Sequence, residues 1–184
     1  MALRKNHCYT PIKRAFTRKS KVKSKSYIKT IPPRKLAKFI MGDIPGYHNK
    51  KYKYQVSMIM NKDIQIRDNS IEASRQLVHR QLEDGAKGNY CLFVSVYPHH
   101  ILRENKMITG AGADRMQTGM AHSFGQPVGV AAQIFAGNAL FTIYCQKEAI
   151  ILVRKALNEA RTKLPGDKSI VVKEINREVK KEIK

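Results

Sequence analysis

From Met1 to Met41 the chain contains no aspartate or glutamate. Basic residues recur through this stretch: Arg4, Lys5, Lys13, Arg14, Arg18, Lys19, Lys21, Lys23, Lys25, Lys29, Arg34, Lys35 and Lys38. His7, Tyr9, Phe16, Tyr27 and Phe39 are interleaved among them. Like charges at this density repel one another and resist self-folding. An anion laid along the segment would remove that penalty. Arginine offers phosphate a planar pair of donors, and lysine offers a point charge. The aromatic rings suit stacking on unpaired bases. The competing reading is a solvated, disordered tail, but the length of the acid-free run and its aromatics favour nucleic acid. Pro32 and Pro33 break any helix ahead of a short apolar patch at Leu36, Phe39 and Ile40.

The whole chain shares this bias. Lys and Arg total 35 against 14 Asp and Glu, a formal charge of +21. Such an excess points to a polyanionic partner, either nucleic acid or an anionic membrane surface. No apolar run approaches the roughly 18 residues of a membrane-spanning helix. Charges interrupt every early apolar pair, so no secretory leader is expected and an intracellular location is. At 184 residues with 42% hydrophobic content, one domain with extensions is expected over 1–184. Cys8, Cys91 and Cys145 are odd in number and widely spaced, the pattern of free thiols.

The core is expected to begin near Tyr52. Tyr52, Tyr54, Val56, Met58 and Met60 alternate with Lys53, Gln55, Ser57 and Ile59, a strand with one buried face. Asn61-Lys62-Asp63 reads as a turn, with Ile64-Gln65-Ile66 as a short partner strand. Asn69 and Glu72 have capping-box spacing. Ile71, Ser74, Leu77, Val78, Gln81 and Leu82 predict an amphipathic helix over about 70–84, ended by Gly85 and Gly88. His79 reads as a surface histidine. Tyr90–Tyr97 predicts a strand buried on both faces and closed by Pro98. Strand-like sequence resumes at Val128–Phe135. Gly137-Asn138 then signals a hairpin returning through Leu140–Tyr144. A second helix is predicted over Lys147–Lys163, its apolar face made by Ala149, Val153, Ala156, Leu157 and Ala160. Pro165-Gly166 stops it, and Ile170–Val172 adds a strand. The 174–184 stretch alternates charge, as a short helix or a frayed tail would.

Between two apolar segments lies a long glycine-bearing stretch, Glu104–Pro127. Gly110, Gly112, Gly119 and Gly125 fall within it. Lys106, Asp114, Arg115, Gln117 and Thr118 alternate with Met107, Met116 and Met120. Loops this long are usually functional or disordered, and this mixture suits a mobile finger reaching a polar target. The search for chemistry is otherwise negative. Gly110-Ala111-Gly112 lacks the third glycine of a dinucleotide fingerprint, since Arg115 stands there. No Walker sequence and no Cys-x-x-Cys pair occurs. Asp114 beside Arg115 reads as a loop-stabilising residue, and Cys8 beside His7 lacks the geometry of a nucleophile and its base. His99 and His100 would point to opposite faces of a strand and have no further ligand at metal spacing. One on phosphate and one packed is the expected arrangement. Neither metal nor cofactor is expected.

The run ENKMITGAGADRMQTGM, followed by FGQPVGVAAQIFAGNALFTI, closely resembles the archaeal and eukaryotic large-subunit ribosomal protein family known as L-ten-e, whose bacterial relative is L-sixteen. The resemblance covers nearly the whole chain. It takes in the basic start with Arg4 and Tyr9, the Pro98-His99-His100 junction with Arg103, and the Lys163–Gly166 helix exit. It implies an α/β fold of the hammerhead type: an antiparallel, barrel-like sheet with two packed helices. It implies binding of large-subunit rRNA, with 1–41 as the basic rRNA-binding extension together with His99, His100 and Arg103. It also implies that 104–127 points toward the peptidyl-transferase centre and tRNA. Lys106, Met107, Arg115, Gln117, Thr118 and Met120 would form that finger. The expected partners are rRNA, tRNA and neighbouring ribosomal proteins in the cytoplasm. Catalysis, membrane and obligate homo-oligomer are not expected. Two other readings stay open on the residues alone: an RNA-modifying enzyme with the glycine loop over a cofactor, and a basic architectural protein for DNA or a membrane surface.

Overall fold

The structure is a computed structural model of the chain and describes residues 6–12, 22, 24, 28, 30–105 and 125–175. A 3-10 turn at Asn6–Tyr9 comes first. It is followed by β1 (Ile40–Gly42), α1 (Ile44–His48), β2 (Tyr54–Met60), β3 (Ile64–Arg67), α2 (Asp68–Ala86), β4 (Tyr90–Val94), β5 (His100–Glu104), β6 (Gln126–Ile134), β7 (Ala139–Cys145), α3 (Ile150–Ala160) and β8 (Lys168–Glu174). Short 3-10 turns flank α3 on both sides, so the predicted Lys147–Lys163 helix is present in three pieces.

The strands form two antiparallel sheets, ordered β1-β4-β7-β2-β8 and β3-β6-β5. The expectation of one barrel-like sheet is therefore corrected: among the described residues both sheets are open. The cause lies at two turns. Gly137-Asn138 was expected to close a hairpin, but β6 pairs with β3 and β5 while β7 pairs with β2 and β4. The turn instead carries the chain from one sheet to the other. Gly137 N donates to Met60 O at 2.8 Å and Met60 N to Asn138 O at 3.1 Å, which seals the end of β2. Likewise β3 is not the partner of β2. It turns away at Asn61–Asp63 and pairs with β6.

Alternation builds the core. Val56 and Met58, Ile143 and Phe141, and Leu92 and Val94 sit in register on one face of the five-stranded sheet and are buried. Ile71, Val78 and Leu82 of α2, and Val153, Ala156, Leu157 and Ala160 of α3, join them in the same cluster. Burial of this kind contributes roughly 25 cal/mol per Å² of apolar surface. Gly85 is not the stop expected of it. It lies inside α2, where a Cβ would meet Leu152 of α3, so glycine lets the two helices approach. Gly88, with φ +72°, follows the helix end.

Other expectations fail for local reasons. The Asn69–Glu72 capping box does not form. The helix already begins at Asp68, and Glu72 is engaged by Arg75 instead. The Tyr90–Tyr97 strand ends at Val94, and Tyr97 is exposed, with Arg34 over one ring face and Phe39 stacked nearby. His79 is not a bare surface histidine: its Nδ1 lies 2.8 Å from the Tyr90 hydroxyl, which donates to Glu83 at 2.5 Å. Desolvation first, and then that carboxylate, push the Tyr90 hydroxyl above its ordinary pKa. Burial likewise pushes the Cys91 and Cys145 thiols up to about 11.

The core also begins earlier than Tyr52. Leu36 and Met41 are buried, and β1 pairs with β4 through Ile40↔Phe93 and Gly42↔Cys91. A three-residue strand inside a basic run carries too little periodicity to be read. Gly42 makes the turn out of β1 at φ +92°, and a Cβ there would collide with the carbonyl oxygen of Tyr90. Gly42→Ala is therefore expected to destabilise the fold by about 2–3 kcal/mol, combining left-handed strain with a backbone clash. Urea unfolding checks this, and an unchanged midpoint would show that the turn relaxes without penalty.

Candidate nucleic-acid interface

The smaller sheet gathers the candidate binding residues that the structure describes. Period-two alternation in β3 puts Ile64 and Ile66 into the core and leaves Gln65 and Arg67 on the opposite face. Arg67 and His100 are both in register with Ala131, so they flank it across the three strands. Gln133 lies opposite Gln65, and their side chains join at 3.2 Å. The result is a polar row on a sheet whose other face is apolar.

The chain start docks beside this row. Gln65 N donates to Thr10 O at 2.8 Å, and Gln65 Nε2 to Tyr9 O at 2.9 Å. The Arg67 guanidinium lies 5.1 Å from the centre of the Tyr9 ring, within cation–π range. The free edge of β3 is thus covered by residues 9–10. His7, on the 3-10 turn just before, is exposed.

His99 and His100 divide as alternation requires. His99 is exposed, and its Nδ1 lies 3.0 Å from Tyr97 O. His100 is buried. Arg103 is half-buried on β5, and desolvation lowers its pKa from the usual arginine value. It keeps its cation, because arginine does not deprotonate in proteins.

The long stretch is rooted in the same sheet. Glu104 of β5 pairs with Gln126 of β6, and Arg103 with Pro127, with a register slip at Leu102/Arg103. Gly125, at φ +109°, leads the chain back into β6. The two ends therefore stand side by side, and the intervening residues are an insertion between paired strands. Lys106, Met107, Arg115, Gln117, Thr118 and Met120 themselves lie outside the described residues. So do Arg4, Lys5, Lys13, Arg14, Arg18, Lys19, Lys21, Lys23 and Lys25, and 176–184 of the charged tail.

Reading from sequence missed Gln65, Arg67 and Gln133. The signal was present in Ile64-Gln65-Ile66-Arg67, where two polar residues alternate with two core residues. Among the described residues no group of three or more His, Cys, Asp or Glu is placed to hold a metal ion, and no helix is long and apolar enough to cross a membrane. The half-buried Arg67 and Arg103, beside the docked residues 9–10, supply cations that can position an extended polyanion by charge and shape.

Comparison with known proteins places the chain in a family. The family described as Ribosomal protein L16p/L10e matches residues 11–171. The chain is 41% identical over 176 residues to the large ribosomal subunit protein uL16 of Metallosphaera sedula, covering 94% of this chain and 95% of that protein. It is 42% identical over 157 residues to uL16 of Hyperthermus butylicus, covering 85% of each. It is 37% identical over 182 residues to uL16 of Sulfolobus acidocaldarius, covering 97% and 98%. With alignment along nearly its full length, the chain belongs to the ribosomal protein L16p/L10e family.

Proposed function

We propose that this chain is a structural constituent of the large ribosomal subunit in the cytoplasm, binding large-subunit rRNA and neighbouring ribosomal proteins without catalysing a reaction. The observation that carries this reading is the near full-length similarity to proteins named large ribosomal subunit protein uL16. The charge of +21 supports a polyanionic partner. In this reading Arg4, Lys5, Lys13, Arg14, Arg18, Lys19, Lys21, Lys23, Lys25 and Arg103 neutralise phosphates, and His7, His99 and His100 complete the rRNA-binding set. The exposed His99 meets RNA as a hydrogen-bonding contact, and the buried His100 packs and holds the strand that carries it. The stretch 104–127 supports tRNA seating near the peptidyl-transferase centre through Lys106, Met107, Arg115, Gln117, Thr118 and Met120. The pairing of its two ends in β5 and β6 supports its reading as a projecting finger.

The test is salt. Log affinity for an rRNA fragment should fall linearly with log salt, each neutralised phosphate adding a slope of about −0.7 to −0.9. Changing Lys13, Arg14, Arg18 and Lys19 together to Gln should make that slope shallower by up to about 3.6. An unchanged slope would mean that these side chains do not meet phosphates. Failure of the wild-type protein to co-sediment with large subunits in high salt would overturn the ribosomal reading itself.

A further inference from the structure

We propose that the junction of β3 and α2, from Gln65 to Arg75, is a positioning platform that holds the basic segment at residues 9–10 and again at 35–37, so that it is anchored on both flanks before a polyanion binds. The upstream grip is the pair of hydrogen bonds from Gln65 to Tyr9 O and Thr10 O, with Arg67 over the Tyr9 ring. The downstream grip lies on the next residues of the same junction. Lys35 N donates to Asp68 Oδ2 at 2.9 Å and Ala37 N to Glu72 Oε2 at 3.3 Å. Two backbone donors, two residues apart, thus meet two carboxylates one helical turn apart. Those carboxylates sit in the opening turns of α2, where the helix dipole favours negative charge.

Glu72 is itself held. Arg75 donates to both of its oxygens, at 2.8 and 2.6 Å, and the Arg75 side chain is buried beside Met41 Sδ at 2.8 Å. The downstream grip is therefore rigid, and it continues into β1. Between the two grips residues 11–34 carry nine basic residues and no acid. Their self-repulsion would drive an untethered arm outward in every direction. Holding both ends at one place removes much of the ordering entropy before any phosphate is met. Asp68, Glu72 and Gln65 are positioning residues in this scheme and need touch no RNA. The affinity consequence rests on the RNA-binding reading above, whereas the grip itself does not.

The experiment uses the full-length protein with two variants, Asp68→Ala and Ala37→Pro. The second removes one of the donated N–H groups without changing charge or any core residue. Hydrogen exchange on RNA-free protein should show faster exchange over 35–41 in both variants, with β2 and β7 unchanged. Affinity for an rRNA fragment should fall by roughly 3- to 10-fold, while the salt slope stays that of the wild type, because no phosphate contact is removed. Unchanged exchange over 35–41 would overturn the grip. Faster exchange with unchanged affinity would overturn the positioning role, and a shallower slope would overturn it too by making the region a phosphate contact. If the wild type fails to bind the fragment, the RNA reading fails, and the exchange result still decides whether the downstream grip holds.

Discussion

Replacing Ile108 through Thr118 by a short Gly-Ser linker is expected to leave a folded protein that still enters the large subunit, in particles whose tRNA binding is impaired at least tenfold. The stability half of this expectation follows from β5 and β6. Their pairing at Glu104↔Gln126 holds the two ends of the insertion together whatever lies between them. On the core face of the same sheet, Ile64, Ile66, Ala132 and Ile134 belong to the main apolar cluster and anchor it independently of the strand ends. Closure entropy changes by only about 0.6 kcal/mol per doubling of loop length, so a shorter connection does not strain the sheet.

The functional half follows from what is removed. Arg115 and Gln117 are the long donors near the middle of the stretch, and hydrogen bonds to charged groups are worth about 1.5–3 kcal/mol each. Arg115→Ala alone should give a smaller defect in the same direction, since it removes one charged donor and keeps the finger. Purified subunits bearing each variant would be assayed for occupancy of the protein and for tRNA binding. Full occupancy with wild-type tRNA binding and peptide-bond formation would sink the functional finger. Loss of occupancy would make the stretch a structural anchor.

What the sequence made legible, and what it hid, follows from the range of the interactions involved. Alternation in Tyr54–Met60 and the 3.6-residue period in α2 and α3 are local, and the structure has strands and helices there. Strand partnership is not local. Ile64–Arg67 and Ala139–Cys145 were readable as strands, yet nothing in a turn such as Gly137-Asn138 says whether the chain reverses within a sheet or crosses to another. Capping failed for a related reason. Asn69 and Glu72 had the right spacing, but Glu72 had a stronger partner in the buried guanidinium of Arg75. The polar row of Gln65, Arg67, Gln133 and His100 is assembled from three strands distant in sequence, so only the pair in β3 carried a local signal. The recognisable run at 111–120 identified the family before any of this, but it carries no register.

Glu72→Leu is expected to destabilise the protein by about 2–4 kcal/mol, because it leaves the Arg75 guanidinium buried without its carboxylate. The side chains of Arg75 and Glu72 are 9% and 12% exposed, so water replaces little of what is lost. Removing both charges with Glu72→Leu and Arg75→Met together should recover most of the loss, since a buried pair and an apolar pair of similar volume are often close in free energy. The same pair sets an acid limb. The Arg75 hydrogen bond, above all, holds the Glu72 carboxyl below its ordinary pKa of 4.5, with Gln76 and the Ala37 N–H helping. A carboxylate with a depressed folded-state pKa contributes stability that is present above the unfolded value and lost as pH falls through the folded one. Wild-type stability should therefore fall as pH drops below about 4.5, with part of that fall owed to Glu72. Part should remain in the double variant, because Asp43 and Asp167 are also depressed, chiefly by hydrogen bonds from Gly46 N and the Asn61 side chain. Urea unfolding of the wild type, the single variant and the double variant at pH 7 and pH 3.5 measures both effects. A double variant as unstable as Glu72→Leu at pH 7 would show that the loss is one of packing against Met41 and the 35–41 segment, not of an orphaned charge.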